Sequence, residues 1–205
     1  MIKITNISVY NFENAIRGMR NPLNSWDKMD SRVDENGVFA LGENDRKLAV
    51  KLANAGSDHR KFLRQIFVTM DITAPLYWWK ETDQYKVGTV TNSCSTMHTI
   101  HKKEFELADF SWEQLDEYGL TILEATIDYL NHNRELFIGT NSKRYWYNMI
   151  QILPTSYNQL RTLSLNYEVL RNMYHSRKAH KLQEWRDLCK IIEGLPYSEL
   201  ITGTA

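Results

Sequence analysis

Apolar and polar residues alternate through "KITNISVY" (3–10), the period of a strand with one buried face. "NFENAIRGMR" then turns to helical spacing. A second helix is predicted over 43–56, "ENDRKLAVKLANAG", where Leu48, Leu52 and Ala55 share a side and Gly56 supplies a C-cap. "QIFVTMDIT" (65–73) is apolar and β-branched, the pattern of a buried strand. Pro75 permits a new helix start in "PLYWWKETDQY", because its missing N–H is no loss in a first turn. "KVGTVTNSCSTM" favours extended structure again through Val87, Val90 and its threonines.

The second half reads mostly as helix. Ser111 followed by Gln114 fits a capping box, and Leu120, Leu123, Ile127 and Leu130 follow at three- and four-residue steps. "NSKRYWYNMIQIL" is a further helix, ended by Pro154. From Thr155 onward Leu160, Leu163, Tyr167, Leu170 and Tyr174 keep a helical step, and "HKLQEWRDLCKIIEGL" continues it to Gly194. Strands with interspersed helices, followed by several helices, make an α+β fold in one domain. Residues 21–37, rich in Asn, Asp and Ser, read as a loop, and loops this long are often functional.

Composition narrows the function classes. A chain of 205 residues with 42% hydrophobic content builds one compact core. Lys+Arg and Asp+Glu balance at 25 each, so net charge gives no general pull toward DNA, RNA or an acidic membrane. No apolar run approaches a membrane span and the N-terminus lacks a secretory pattern, so a soluble cytoplasmic protein with two free thiols, Cys94 and Cys189, is expected. The dinucleotide, P-loop, zincin and C-x-x-C signatures are absent.

Two stretches invite chemistry. "TVTNSCSTMH" (89–98) gathers hydroxyls, a cysteine and a histidine. Cys94, His98 and His101 make C-x3-H-x2-H, but no fourth ligand stands at a recognisable spacing, so no metal site is expected. Nor is Cys94 a placed nucleophile, since four residues along a strand put His98 about 13 Å away. In "LNYEVLRNMYHSRKAHKLQEWRDL" (165–188), Asn166 and Arg177 are eleven residues apart. On a continuous helix they point within about 20° of each other, about 16 Å apart, whereas Arg171 faces elsewhere. Arg177 can clamp a phosphate or carboxylate. The same basic run would also suit a solvated helix end.

These residues carry a resemblance. Residues 153–188 resemble the C-terminal helices of the flavin-dependent thymidylate synthase (ThyX) family, which carry Asn-x-Arg and, eleven residues after its Asn, an Arg; here these fall on Asn166, Glu168 and Arg177. "GENDRKLAVKLANAGSDHRKFLRQIFVTMDITAP" (42–75) resembles the family's helix and the strand ending in Ala-Pro. The family signature, Arg-His-Arg-x-x-Ser-x-Asn-Glu-x-Ser-x-Arg, has its place in "QYKVGTVTNSCSTM". Starting it at Tyr85 puts Asn92 on the motif's Asn and Ser95 on its second Ser, a better register than a start at Gln84.

The resemblance implies a ThyX-like domain over 1–205, with a central, mostly antiparallel sheet and flanking helices, assembled as a homotetramer whose sites draw on several subunits. It implies reductive methylation of dUMP, a pyrimidine nucleotide, with methylenetetrahydrofolate as carbon donor, FAD as hydride carrier and NADPH as reductant. Substrate would be held by Arg177, Ser95, Gln84 and Asn92, and cofactor by Lys86, Asn166 and Tyr85. The departures are specific. Tyr85-Lys86-Val87 replaces Arg-His-Arg, Glu168 replaces the arginine of Asn-x-Arg, Phe62-Leu63-Arg64 stands for Phe-Glu-His, and Met97 replaces the signature's last Arg. An anion at 168 reverses the Coulomb term beside a diphosphate, with Arg64 or His59 as possible compensation. These departures motivate two alternatives: a relative that binds or modifies a pyrimidine nucleotide without the standard flavin reaction, and a non-catalytic oligomeric scaffold.

Overall fold

The structure, a computed structural model, describes residues 2–203. In chain order it comprises β1 (Lys3–Tyr10), α1 (Phe12–Gly18), β2 (Arg32–Val33), β3 (Phe39–Ala40), α2 (Glu43–Asn54), β4 (Phe67–Pro75), α3 (Leu76–Thr82), β5 (Val90–Ser93), α4 (Thr96–Thr99), α5 (Glu117–Thr140), α6 (Lys143–Ile152), β6 (Asn158–Asn166), α7 (Tyr167–Arg177), α8 (Gln183–Glu193) and α9 (Glu199–Thr202). The fold is α+β, with a four-stranded antiparallel sheet in the order β1-β4-β6-β5 and a separate β2/β3 hairpin.

β6 corrects the sequence expectation of unbroken helix from Thr155. Leu163 and Leu165 are buried two residues apart while Thr162 and Ser164 are exposed, which is strand alternation. The three-residue step from Leu160 to Leu163 imitated a helix only because Leu160 is an exposed residue of the same strand. Two further expectations change. α5 is capped not by Ser111 but by Asp116, whose carboxylate accepts the Gly119 N–H at 2.7 Å, and the Ser111 hydroxyl instead bonds Asn158. Extended structure in 86–97 is confined to β5, after which Ser95 caps the single turn α4.

The chain divides into two compact units. One is built mainly from Ile72–Gln84 and Asn92–Thr162. Its core joins Leu123, Ile127 and Leu130 of α5 to Met149 of α6, with Ile100, Phe105 and Phe110. These are the apolar positions whose three- and four-residue spacing predicted α5.

The other unit contains Ile4–Asp71, Tyr85–Thr91 and the chain from Leu163 onward. Phe12 stacks on Phe39 and meets Tyr167 and Tyr197 edge-on, while Leu170, Trp185, Leu188, Ile192, Leu200 and Ile201 are buried from α7, α8 and α9. On α2 the buried positions are Asp45, Ala49 and Ala53, not the predicted Leu48 side, which is only half-buried. Asp45 explains the shift. Its carboxylate pairs with Arg20 at 2.6 Å and accepts the N–H groups of Asp30 and Ser31 and the Ser31 hydroxyl. Residues 21–37 are therefore tied to α2, and they contain two 3₁₀ turns and β2. Asp30 returns the bond, accepting the N–H groups of Asn44 and Asp45 in the first turn of α2. It thereby caps a helix whose own N-cap, Gly42, has no side chain to do so.

Candidate functional site

The unit that contains Ile4–Asp71, Tyr85–Thr91 and the chain from Leu163 brings together Arg177, Tyr85, Asn166 and the segment around Lys86. α7 begins where Asn166, in extended conformation, accepts the Val169 N–H on its carboxamide oxygen at 3.0 Å. It ends eleven residues later at Arg177; Asn166 is the extended last residue of β6 and caps the helix from outside it, so the helical angle expected between the two residues does not apply. The segment Tyr85–Gly88 runs beside this helix. At one end the Tyr85 hydroxyl accepts the Arg177 Nε–H at 3.0 Å. At the other, Gly88 packs on Asn166 so closely that a Cβ there would lie 2.8 Å from the Asn166 Nδ2. Gly88 also has φ +77°, so glycine is required twice over. Lys86, between these contacts, is exposed. The Thr89 hydroxyl that follows is buried and, among the described residues, has no hydrogen-bond partner.

Arg177 is more than the solvated end of a helix. Its guanidinium lies 4.6 Å from the centre of the Trp185 ring and 5.7 Å from that of Tyr85, within cation–π range of both. Trp185 is fully buried, and His180 meets its ring edge-on. This cation is half-buried on an aromatic floor, where attraction for an anion is screened less than in water. Arg171 makes a different set of contacts. It is buried, bonding Asn54 and the carbonyls of Leu200 and Ile201. Burial, with Arg60 adding repulsion, pulls the Arg171 guanidinium below its usual range.

Glu168 is buried at the start of α7, where a carboxylate suits the helix dipole. Its oxygens lie 3.0 and 2.9 Å from the Nε of Arg60, a residue that sequence reasoning passed over in favour of Arg64 and His59. The only available signal was a cation a few residues before the strand.

Gln84, Asn92 and Ser95 fall in the other unit. Gln84 and Asn92 are exposed, Asn92 on β5. Ser95 is half-buried, and its hydroxyl accepts the His98 N–H at 3.3 Å. Around them runs a network that sequence reasoning did not find. Arg161 of β6 stacks on Trp79 at 4.4 Å, bonds Asp83 at 2.9 Å and donates to Gln159 at 2.9 Å. Gln159 in turn donates to the Cys94 carbonyl and the Thr96 hydroxyl. This ties the residues flanking Gln84 and Ser95 into one set of polar contacts. The Cys94 thiol is exposed. Among the described residues no three His, Cys, Asp or Glu side chains converge as a metal centre, and no helix is long and apolar enough to cross a membrane.

Fold and site together define an α+β protein with a held arginine and an aromatic floor at the end of a capped helix. The sequence matches no family model and no curated protein. The structure matches flavin-dependent thymidylate synthase ThyX from Helicobacter pylori, solved with FAD and dUMP, at TM-score 0.71 and 19% identity, over 98% of each chain. A second structure of that enzyme with the same ligands matches at TM-score 0.69 and 19% identity, over 97% of this chain and 98% of that one. The fold is therefore ThyX-like.

A flavin diphosphate does not find its expected cation at position 168, because Glu168 stands there and Arg60 is engaged in neutralising it. Lys86 is the positive charge left in the segment matching the signature's first three residues.

Proposed function

We propose that this chain binds a pyrimidine nucleoside monophosphate of the dUMP type and modifies its base, as a divergent protein of ThyX-like fold. The observation that carries this reading is the bond between Tyr85 and Arg177. Two residues assigned to one site by resemblance, far apart in sequence, hold each other. Arg177 takes the phosphate; the resemblance assigns the pyrimidine contacts to Gln84, Asn92 and Ser95. The unpartnered Thr89 hydroxyl supports a polar ligand near the Tyr85–Gly88 segment. Catalysis would rest on electrostatic positioning of the nucleotide, with no covalent role for Cys94. The protein assembles as a homotetramer, as the resemblance implies.

A second reading is the standard reductive methylation of dUMP, with FAD, methylenetetrahydrofolate and NADPH. It is favoured by the near-complete overlap with structures of ThyX bearing FAD and dUMP. In that case Lys86, Asn166 and Tyr85 would contact the flavin, which supplies the hydride.

Thermal unfolding with dUMP, with FAD and with both separates the readings. A ligand that binds only the native state adds about 2.7 kcal/mol at a hundredfold excess over Kd. Stabilisation by dUMP alone, in colourless protein that gains no flavin absorption band from FAD, is the expected result. Yellow protein, or stabilisation that requires FAD, would establish the second reading. No response to dUMP in either state would overturn both.

A further inference from the structure

We infer that Tyr85 is a positioning residue for Arg177, not a cofactor contact, and that it sets the direction in which the guanidinium meets a phosphate. The inference rests on the nucleotide reading above and assigns the task of Tyr85 within that site.

A free arginine side chain carries about 2 kcal/mol of rotamer entropy, much of it lost when the group closes on a ligand. Here that loss is largely met on folding. The Nε–H is directed at the Tyr85 hydroxyl at 3.0 Å, and the guanidinium lies over the fully buried Trp185 ring at 4.6 Å. One face and one edge of a planar group are thus fixed, which also fixes where both Nη atoms point. The Tyr85 ring is itself held, 5.9 Å from Trp185. Its backbone is anchored three residues on by Gly88, packed against Asn166. Arg177 is thereby oriented by contacts with α8 and with the 85–88 segment. A lysine at 177 would keep the charge but lose the planar group and its Nε, so it could be neither stacked nor oriented in this way.

The test uses full-length protein labelled with ¹⁵N-arginine, and calorimetric titration with dUMP and with deoxyuridine. The Arg177 Nε–H resonance, assigned by its absence in Arg177→Lys, is expected to be protected from water exchange. Tyr85→Phe keeps the ring and removes the acceptor. It should expose that resonance to exchange and weaken dUMP binding about two- to tenfold. Deoxyuridine, which has no phosphate, should bind as before. Tyr85→Phe should add nothing further in the Arg177→Lys background. An unprotected resonance in the unsubstituted protein overturns the inference without any variant. So does an unchanged dUMP affinity in Tyr85→Phe, an equal loss for dUMP and deoxyuridine, or an additive loss in the double variant. Failure of the unsubstituted protein to bind dUMP overturns the nucleotide reading, and the phosphate role of Tyr85 with it, whatever the resonance shows.

Discussion

Arg60 and Glu168, 108 residues apart, form a largely buried ion pair, with the arginine Nε 2.9 Å from one carboxylate oxygen and 3.0 Å from the other. The pair closes the start of α7 on the turn that precedes β4, and it removes the bare anion that position 168 would otherwise bring to the site. Removing one partner strands the other. Arg60→Ala should destabilise the protein by about 2–3 kcal/mol in chemical denaturation, below the roughly 3–5 kcal/mol of a fully buried pair because Arg60 is partly exposed. The double replacement Arg60→Met with Glu168→Leu should cost less than Arg60→Ala alone. A double variant less stable than the single would show that the pair contributes more than mutual neutralisation.

Gly42 is a second point of dependence. A Cβ there would fall on the Asp30 carboxylate and within 2.5 Å of the Asp30 carbonyl carbon, and backbone cannot swing aside as a flexible side chain can. Gly42→Ala should cost about 2–3 kcal/mol. Gly37→Ala, at φ +78° but in open space, should cost only about 1 kcal/mol of backbone strain. Equal losses in urea denaturation would mean that the 21–37 segment is not clamped onto α2.

How much of this was legible in the sequence differs from element to element. β4, α5 and α8 follow directly from apolar periodicity, because each buries a row of its apolar residues; β1 was legible from its alternation although none of its residues is fully buried. β6 was hidden because an exposed Leu160 and a buried Leu163 happen to stand three apart, and spacing does not reveal which leucines are buried. Asn166 and Arg177 were readable together because they are the cap and the last residue of one helix, although the sequence did not show that Asn166 belongs to a strand. The partners Tyr85, Trp185, Arg60, Arg161 and Asp45 were not recognisable as partners, because an ion pair or a stacking contact between distant segments leaves no periodic trace. The 21–37 stretch looked like a free loop for the same reason. Its polar residues are the ones that bond α2.

The two thiols should separate cleanly. Cys94 is exposed, whereas Cys189 on α8 is buried, and burial pushes its thiol up to about 11. Since the thiolate is the reactive form, a disulfide reagent at pH 8 should label one thiol per native chain and two after denaturation. Two labelled thiols in native protein would show that α8 opens readily.

Asp30 should contribute to acid sensitivity. The N–H of Asn44, chiefly, holds its carboxyl below the usual carboxylate range. A carboxylate whose pKa is lower in the folded state contributes stability that is present above the unfolded value of about 3.9 and is lost as pH falls through the folded value. Asp30→Asn should therefore flatten the loss of stability below about pH 4 and leave the slope between pH 6 and 8 unchanged, as measured by urea midpoints across pH.

The central claim is that Arg177 receives the phosphate of a pyrimidine nucleotide, and calorimetric titration of flavin-free protein with dUMP tests it most directly. Loss of charge-assisted hydrogen bonds worth about 1.5–3 kcal/mol predicts that Arg177→Ala weakens binding roughly ten- to a hundredfold. The adjacent Lys178, exposed and packed near the Tyr174 ring, should be replaceable by alanine with less than about a twofold change, since exposed charges contribute little. Binding that falls in Arg177→Ala and persists in Lys178→Ala is the predicted result. Absence of binding in the unsubstituted protein, or equal losses in the two variants, would contradict it.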